Sequence, residues 1–333
     1  MDNKNKKNLL VTLADENYIE QAKQLFSSVY WNAGWKGDYM LLAHEVPEKK
    51  LKWFRDKGIL IKKCKPLVEM TRPLKPVILC KFYMFTREFK KWKNIVYLDA
   101  DMIVRASLDE LTEIGGFAAV LDDLIVDKLI DQFIPPFQMN KENFNKFKRK
   151  YNINSRAFKS GVMAFDTDII EKGTFLRLKN LYEEYKKLAK PWGIDQPIFN
   201  LFFYKKWEEL PIVYNFDMRD FKFLNSRKMK AVILHLDGKD IPWFLSSRFY
   251  NEWKYNLEKA DKINPDEIQP PRQKFTKSEI RNYSRYLKIR SIFYFPNWIH
   301  FLDYQIGRAG ILLYDKFPKL YFKLKKLKDK NKK

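Results

Sequence analysis

Asn94-Ile-Val-Tyr-Leu-Asp99-Ala-Asp101-Met-Ile-Val104 runs a short apolar segment into two carboxylates one residue apart. Alternate side chains of an extended chain share a face, so Asp99 and Asp101 are expected to project together where a buried strand leaves its sheet. Two hard oxygen donors suit Mg²⁺ or Mn²⁺, and an ion held by few protein ligands keeps positions open for a diphosphate. The spacing alone is a weak signal, since Asp166-Thr-Asp168 repeats it. The apolar strand in front of Asp99 sets the first pair apart.

Outward from that strand the pattern alternates. Asn8 to Ala14 reads as a strand, Tyr18 to Tyr30 as an amphipathic helix, Tyr39 to Ala43 as a strand, Glu48 to Lys57 as a helix and Ile59 to Ile61 as a strand. A helical Lys75 to Lys91 precedes the Asp99 strand. Phe117 to Leu121 is a further strand, ending in Asp122 and Asp123. Strand Gly161 to Phe165, helices Phe175 to Leu188 and Gln196 to Phe203, and strand Ala231 to Leu236 continue the series. Such alternation predicts an α/β fold with a mainly parallel sheet, helices on both faces and ligands at the carboxyl ends of strands. Pro265, Pro270 and Pro271 interrupt it, so residues 8–260 read as a catalytic domain, 261–275 as a linker and 276–333 as a helical extension. No internal repeat is visible.

With 333 residues, 46% of them hydrophobic, the chain can bury a substantial core. No run of about 17 to 20 uncharged apolar residues is present, which argues against a membrane-spanning helix. The N-terminal lysines lead into a short strand that meets Asp15 and Glu16, unlike a signal peptide. Cys64 and Cys80 are the only cysteines, without Cys-x-x-Cys spacing, so they read as reduced buried thiols. The net charge is +23, and residues 272–333 alone hold 17 Lys and Arg against 4 Asp and Glu. Such a block suits a polyanion or an anionic membrane surface. A nucleic-acid partner would also account for the charge. The basic residues, however, are not joined to a helix-turn-helix, RRM or zinc module, and none is expected to bind nucleic acid.

The chain lacks Gly-x-x-x-x-Gly-Lys-Ser/Thr, Gly-x-Gly-x-x-Gly, His-Glu-x-x-His and Gly-x-Ser-x-Gly. What it has is an ordered set: Leu10-Val-Thr-Leu-Ala-Asp15; Arg72, with Lys81 nine residues later; Asp99-Ala-Asp101; Phe158-Lys-Ser-Gly-Val-Met-Ala-Phe165; Gly193-Ile-Asp-Gln-Pro-Ile-Phe-Asn200; and His235-Leu-Asp-Gly-Lys-Asp-Ile-Pro-Trp243. Over roughly residues 8–250 this set resembles the family 8 glycosyltransferases, which include glycogenins and bacterial lipooligosaccharide galactosyltransferases.

The resemblance implies a GT-A type fold, a UDP-sugar donor, a Mn²⁺ ion with Mg²⁺ as the alternative, and transfer of a hexose with retention of configuration. Position by position, Asp99, Asp101 and His235 match the metal ligands, with Ala100 between the carboxylates. Leu13, Ala14, Asp15 and Tyr18 match the uracil- and ribose-binding segment. Arg72 and Lys81 match basic residues beside the diphosphate, and Ser160 and Gly161 fall in the next donor-contacting motif. Gly238 and Lys239 lie in the last motif. Asp195 and Gln196 match the pair at the donor sugar and reacting carbon, although Asp195 also reads as an N-cap for a helix with Pro197 in its first turn. Gln is too weak a nucleophile for a stable adduct, so retention points to front-face attack. Three positions depart from the family: Lys159 replaces the Asn of glycogenins, Ile241 replaces the Lys before Pro-Trp, and Pro197 replaces an acidic residue.

Residues 290–333 interleave aromatics with lysines, as an interfacial segment does. The expectation is a hexosyltransferase, with galactose or glucose as the sugar, peripheral at the cytoplasmic face of the membrane and acting on a glycan or lipid-linked acceptor. The departures would also suit a catalytically silent relative that binds glycan or membrane.

Overall fold

The computed structural model describes residues 6–68, 76–123, 126–190, 194–217, 224, 229–236, 241–264 and 266–330. Arg72, Gly193, Gly238, Lys239 and Pro265 lie outside these residues.

The strand β1 (Leu9–Ala14) is buried along its whole length, so its alternating side chains must be covered on both faces. Leu10 and Ala14 enter one apolar cluster, and Leu9, Val11 and Leu13 enter the other. On the first face lie α1 (Ile19–Asn32) and α2 (Glu48–Asp56). Ile19, Ala22, Phe26 and Val29 form the inward stripe of α1, at the spacing of one helical face. On the second face lie α3 (Lys141–Lys150), α4 (Thr174–Tyr185) and α5 (Asp195–Phe202), which bury Phe144, Phe147, Leu178 and Phe199.

Around β1 the main sheet takes the order β3-β2-β1-β4-β7-β6-β8, with β2 (Asp38–His44), β3 (Leu60–Cys64), β4 (Asn94–Leu98), β6 (Phe117–Leu121), β7 (Phe158–Asp166) and β8 (Glu208–Leu210). Only β7 runs antiparallel to its neighbours, β4 and β6. A second sheet pairs β5 (Met102–Val104) with β10 (Ile233–His235) and β9 (Phe216–Asp217). Beyond α6 (Tyr250–Glu258) the extension forms α7 (Lys277–Ile292), α8 (Phe295–Lys316) and α9 (Pro318–Lys330). Among the described residues no helix is long and apolar enough to cross a membrane.

Some local expectations change. Residues 76–85 and 87–91 are 3₁₀ segments, not one α-helix, and are divided at an extended Thr86. The Thr86 hydroxyl donates to Tyr83 O and competes with helical continuation. β3 extends to Cys64 because it is an edge strand, where Lys62 and Lys63 can stay hydrated. The Asp166 carboxylate accepts from the Asp168 N–H and caps a turn, which accounts for the second Asp-x-Asp pair.

Asn200, buried on α5, mimics a neighbouring strand. Its Oδ1 accepts from the Phe158 N–H and its Nδ2 donates to Phe158 O, both at 2.9 Å. It thereby pins the helix that begins at Asp195 to β7. Asn200→Ala leaves the Phe158 N–H unpaired in the core and is expected to lower the unfolding free energy by about 2 kcal/mol. Chemical denaturation measures this, and a change within about 0.5 kcal/mol, as for a bland surface site, would contradict the assignment.

Candidate active site

β4 stops at Leu98, and β5 begins at Met102 in the other sheet, so Asp99-Ala-Asp101 is the turn between the two sheets. The two carboxylates therefore meet in a turn and not by strand alternation as expected. Asp99 keeps the ladder going for one more residue, its N–H donating to Gly161 O at 2.9 Å. The side chain of Ala100 is buried beneath the turn.

His235 ends β10, opposite Met102 in the antiparallel register, which brings its ring over the turn. Ligand atoms of Asp99, Asp101 and His235 lie within 4.8 Å of one another. Their side chains are 28%, 27% and 17% exposed, open enough for a ligand to reach. Asp101 Oδ1 is buried without a hydrogen-bond donor, 3.5 Å from His235 Nε2. On the far side of the ring, Nδ1 lies 2.9 Å from Asn215 Oδ1. With Nδ1–H donating to that oxygen, Nε2 carries the lone pair and faces Asp101. A Cβ at Gly161 would come within 3.0 Å of Asp99 Oδ2 and 3.1 Å of His235 Cε1, so only glycine leaves this space open. An orphaned carboxylate oxygen, a ligand-ready imidazole and a cradle closed to side chains fit a divalent cation with mixed oxygen and nitrogen donors.

Beneath the cation cradle Lys81 is buried. Its Nζ lies 3.0 Å from Asp99 Oδ1, 2.9 Å from Asp195 Oδ2 and 3.3 Å from Ser160 O, and sits over the Tyr97 ring. Burial opposes the ammonium, but Asp195 and Asp99 outweigh it, so the Lys81 pKa rises and the charge is held. Tyr97 also donates to Asp99 Oδ1 at 2.6 Å. Burial, reinforced by Asp101, pushes the Asp99 carboxyl up despite Lys81. For Asp101 burial is outweighed by His235, and its pKa falls. Burial likewise opposes charge on His235, but Asp101, Asp99 and Asp217 together raise its pKa.

Asp195 opens α5 without capping it, because Ile194 holds the N-cap position. Its carboxylate accepts from Lys81 and from the Ser160 hydroxyl at 2.7 Å, so the capping role expected for it does not occur. Gln196 Oε1 accepts from the Ser160 N–H at 3.2 Å, and its Nε2 donates to Asp122 Oδ1 at 3.1 Å.

Leu13 and Ala14 end β1 beside this cluster, where the Thr12 hydroxyl donates to Leu98 O. The Asp15 carboxylate caps the Glu16–Tyr18 turn through the Asn17 N–H. Tyr18 packs edge-on to Trp243, and burial together with the charges of Asp101, Asp15 and Asp99 raises its pKa. Lys159 forms a buried ion pair with Asp217 at 2.9 Å. Thus Leu13, Ala14, Tyr18, Lys81, Asp99, Ala100, Asp101, Ser160, Gly161, Asp195, Gln196 and His235 gather at one end of the sheets, whereas Arg72, Gly238 and Lys239 lie outside the described residues.

Tyr97, Asp122, Gln132, Asn215 and Asp217 also belong to this network and were not expected in it. Tyr97, two residues before Asp99, and Asp122, just past a strand end, were within reach of the rule that found Asp99. The strand holding Asp217 has two residues and offers no periodic signal.

Among solved structures, the galactosyltransferase LgtC in complex with donor and acceptor sugar analogs matches with a TM-score of 0.57 at 16% identity, over 82% of this chain and 99% of that one. The bifunctional glycosyltransferase WbbM gives 0.57 at 18% identity over 78% of this chain, which spans about half (52%) of the WbbM chain. GlyE of Streptococcus pneumoniae TIGR4 gives 0.52 at 18% identity, over 80% of this chain and 65% of its own. At these identities the likeness establishes the fold, that of the GT-A glycosyltransferases. No curated protein matches the sequence. The profile "Glycosyl transferase family 8" matches residues 9–246, an interval containing every residue of the cluster, and the chain therefore belongs to glycosyl transferase family 8.

Proposed function

We propose that this glycosyltransferase moves a hexose, galactose or glucose, from a UDP-sugar to a glycan or lipid-linked acceptor with retention of configuration, in a Mn²⁺-dependent reaction. The observation that carries this reading is Lys81, buried and charged between Asp99 of the metal cradle and Asp195 beside Gln196. It fastens the cation-binding half of the site to the half assigned to the sugar.

Asp99, Asp101 and His235 would hold the ion, Mn²⁺ or in its place Mg²⁺. Bound there, it supplies Lewis-acid stabilisation of charge on the departing diphosphate. Lys81 holds the Asp99 and Asp195 carboxylates in fixed positions and contributes positive charge of its own in a low-dielectric setting. Leu13, Ala14 and Asp15 present backbone and carboxylate groups to the uracil and ribose, and Tyr18 adds a ring face. Asp195 and Gln196 are assigned to the donor sugar, with Ser160 and Gly161 shaping the floor beneath it. The Gln196 amide is locked at both ends by Ser160 and Asp122, so it serves to orient and not to attack. Front-face delivery of the acceptor hydroxyl follows as the route to retention. Arg72, Gly238 and Lys239 are assigned to the diphosphate on the family pattern alone.

The catalytic unit is taken as residues 8–260, with 261–275 connecting to the extension, and the protein is placed at the cytoplasmic membrane face. The extension has two sides. Tyr314 is buried against Phe144, and Tyr321 stacks on Phe137, so these two aromatics belong to the core and not to an interface. Trp298, Phe301, Phe317, Leu320 and Leu324 are each more than 40% exposed, the last three among lysines. An apolar surface rimmed by cations suits an anionic bilayer, where each Lys or Arg near the surface adds about 1 kcal/mol.

Release of UDP from a panel of UDP-sugars is expected to require Mn²⁺ or Mg²⁺ and to cease with EDTA. Asp101→Asn, which removes charge at nearly constant volume, is expected to lower turnover by more than about 100-fold with an unaltered circular dichroism spectrum, because several kcal/mol of charge stabilisation go with the ion. Equal turnover with and without EDTA would refute the metal assignment, and preference for GDP- or CMP-sugars would refute the donor class.

Vesicle flotation tests the membrane surface. The full chain is expected to float with phosphatidylglycerol vesicles at low salt. Replacing Phe317, Leu320 and Leu324 by Ser is expected to release it without moving the thermal midpoint. Unchanged flotation of that variant would place the contact elsewhere, and no flotation of the native chain would remove it.

A further inference from the structure

A chain of hydrogen-bonded side chains leads away from the site and ends on the C-terminal extension. Gln196 Nε2 donates to Asp122 Oδ1 at 3.1 Å, and Asp122 Oδ2 accepts from Gln132 Nε2, also at 3.1 Å. Gln132 closes the 3₁₀ turn Leu129–Gln132 and shares its NH₂ with Phe158 O at 3.2 Å. Next to it, Asp131 caps the same turn by accepting from the Lys128 N–H at 3.0 Å, and its Oδ2 also accepts from the Tyr304 hydroxyl of α8 at 2.7 Å. α8 is fastened over this region by two further ties, Arg308 to Asn154 and Asp315 to Lys148.

The chemistry leaves each amide one orientation. Asp122 and Phe158 O are acceptors only, so the end of Gln132 facing them is its NH₂. Gln196 is likewise constrained, with a carboxylate at one end and the Ser160 N–H at the other. The orientation of the Gln196 amide therefore depends on where Asp122 sits, and Asp122 on Gln132. Gln132 is carried by a four-residue turn, too short to hold its register without outside support. Asp131 supplies that support from a half-buried position, where its carboxyl is pushed up by burial and drawn down by the Tyr304 hydroxyl.

We propose that the C-terminal extension positions the Gln196 amide through the relay Tyr304, Asp131, Gln132 and Asp122, so that α8 is part of the catalytic apparatus as well as a surface helix. The inference rests on the assignment of Gln196 to the donor sugar. Tyr304, Gln132 and Asp122 act as positioning residues, at one or more removes from the reacting atoms.

Tyr304→Phe removes one hydroxyl from a half-buried position and leaves the ring packing intact. In the full chain with Mn²⁺ and UDP-galactose or UDP-glucose it is expected to lower kcat about fivefold at unchanged UDP affinity, with only the small fall in thermal midpoint that loss of one half-buried hydrogen bond brings. In the Gln132→Met background, where the relay is already cut, the same change is expected to have no further effect. Should Gln132→Met fail to fold, Asp131→Asn takes its place in the cycle. In ¹⁵N-glutamine-labelled protein the Gln196 side-chain amide resonance, assigned with Gln196→Ala, is expected to shift on Tyr304→Phe, a readout that does not depend on turnover. An unmoved Gln196 resonance, full additivity in the cycle, or a loss of UDP affinity and thermal midpoint in step with kcat would each overturn the relay. Full activity of Gln196→Ala would instead overturn the assignment of Gln196, whatever Tyr304→Phe does.

Discussion

A lysine ammonium buried between two carboxylates organises this protein. Lys81 reaches Asp99, at the turn joining the two sheets, and Asp195, at the first residue of α5. Taking an ammonium out of water costs several kcal/mol, and the arrangement holds because both carboxylates, Ser160 O and the Tyr97 ring meet it at close range. Elements far apart in sequence are thereby fastened where the chemistry is assigned. Removing the lysine would strand two negative charges, so the site and the stability of its surroundings are difficult to vary separately.

The fold was largely legible in the sequence, because β1, β2, β4 and β6 are buried on both faces and carry continuous apolar runs that end in polar residues. The strands β8 and β9 have three and two residues and are held by tertiary pairing, with no sequence pattern of their own. The segment 76–91 carries a helical composition, yet it is divided at an extended Thr86 into 3₁₀ pieces, an outcome set by context and not by propensity.

Asp99, Asp101 and His235 can be named from the sequence, but strand alternation is not what brings the two carboxylates together. An i, i+2 spacing converges in a strand by alternation, whereas here it converges because the chain leaves one sheet for another. Asp195 is ambiguous for a different reason: a residue before a helix with Pro in its first turn reads as a cap, and only the three-dimensional approach of Lys81 and Ser160 reveals its other partners. Asp122 stands at a strand end, as Asp99 does, whereas Gln132 has no signal beyond its polarity. Their role is visible only in the hydrogen bonds they share. The departure at Lys159 finds a partner in Asp217, next to His235 across the β9–β10 pair.

The central claim is that Asp99, Asp101 and His235 hold one divalent ion above Lys81. Anomalous diffraction at the manganese edge, from crystals grown with Mn²⁺ and UDP, tests it most directly. The account predicts a single strong peak coordinated by both carboxylates and His235 Nε2, with the diphosphate completing the shell. A peak that leaves His235 out, or a UDP-bound site without manganese, would contradict it.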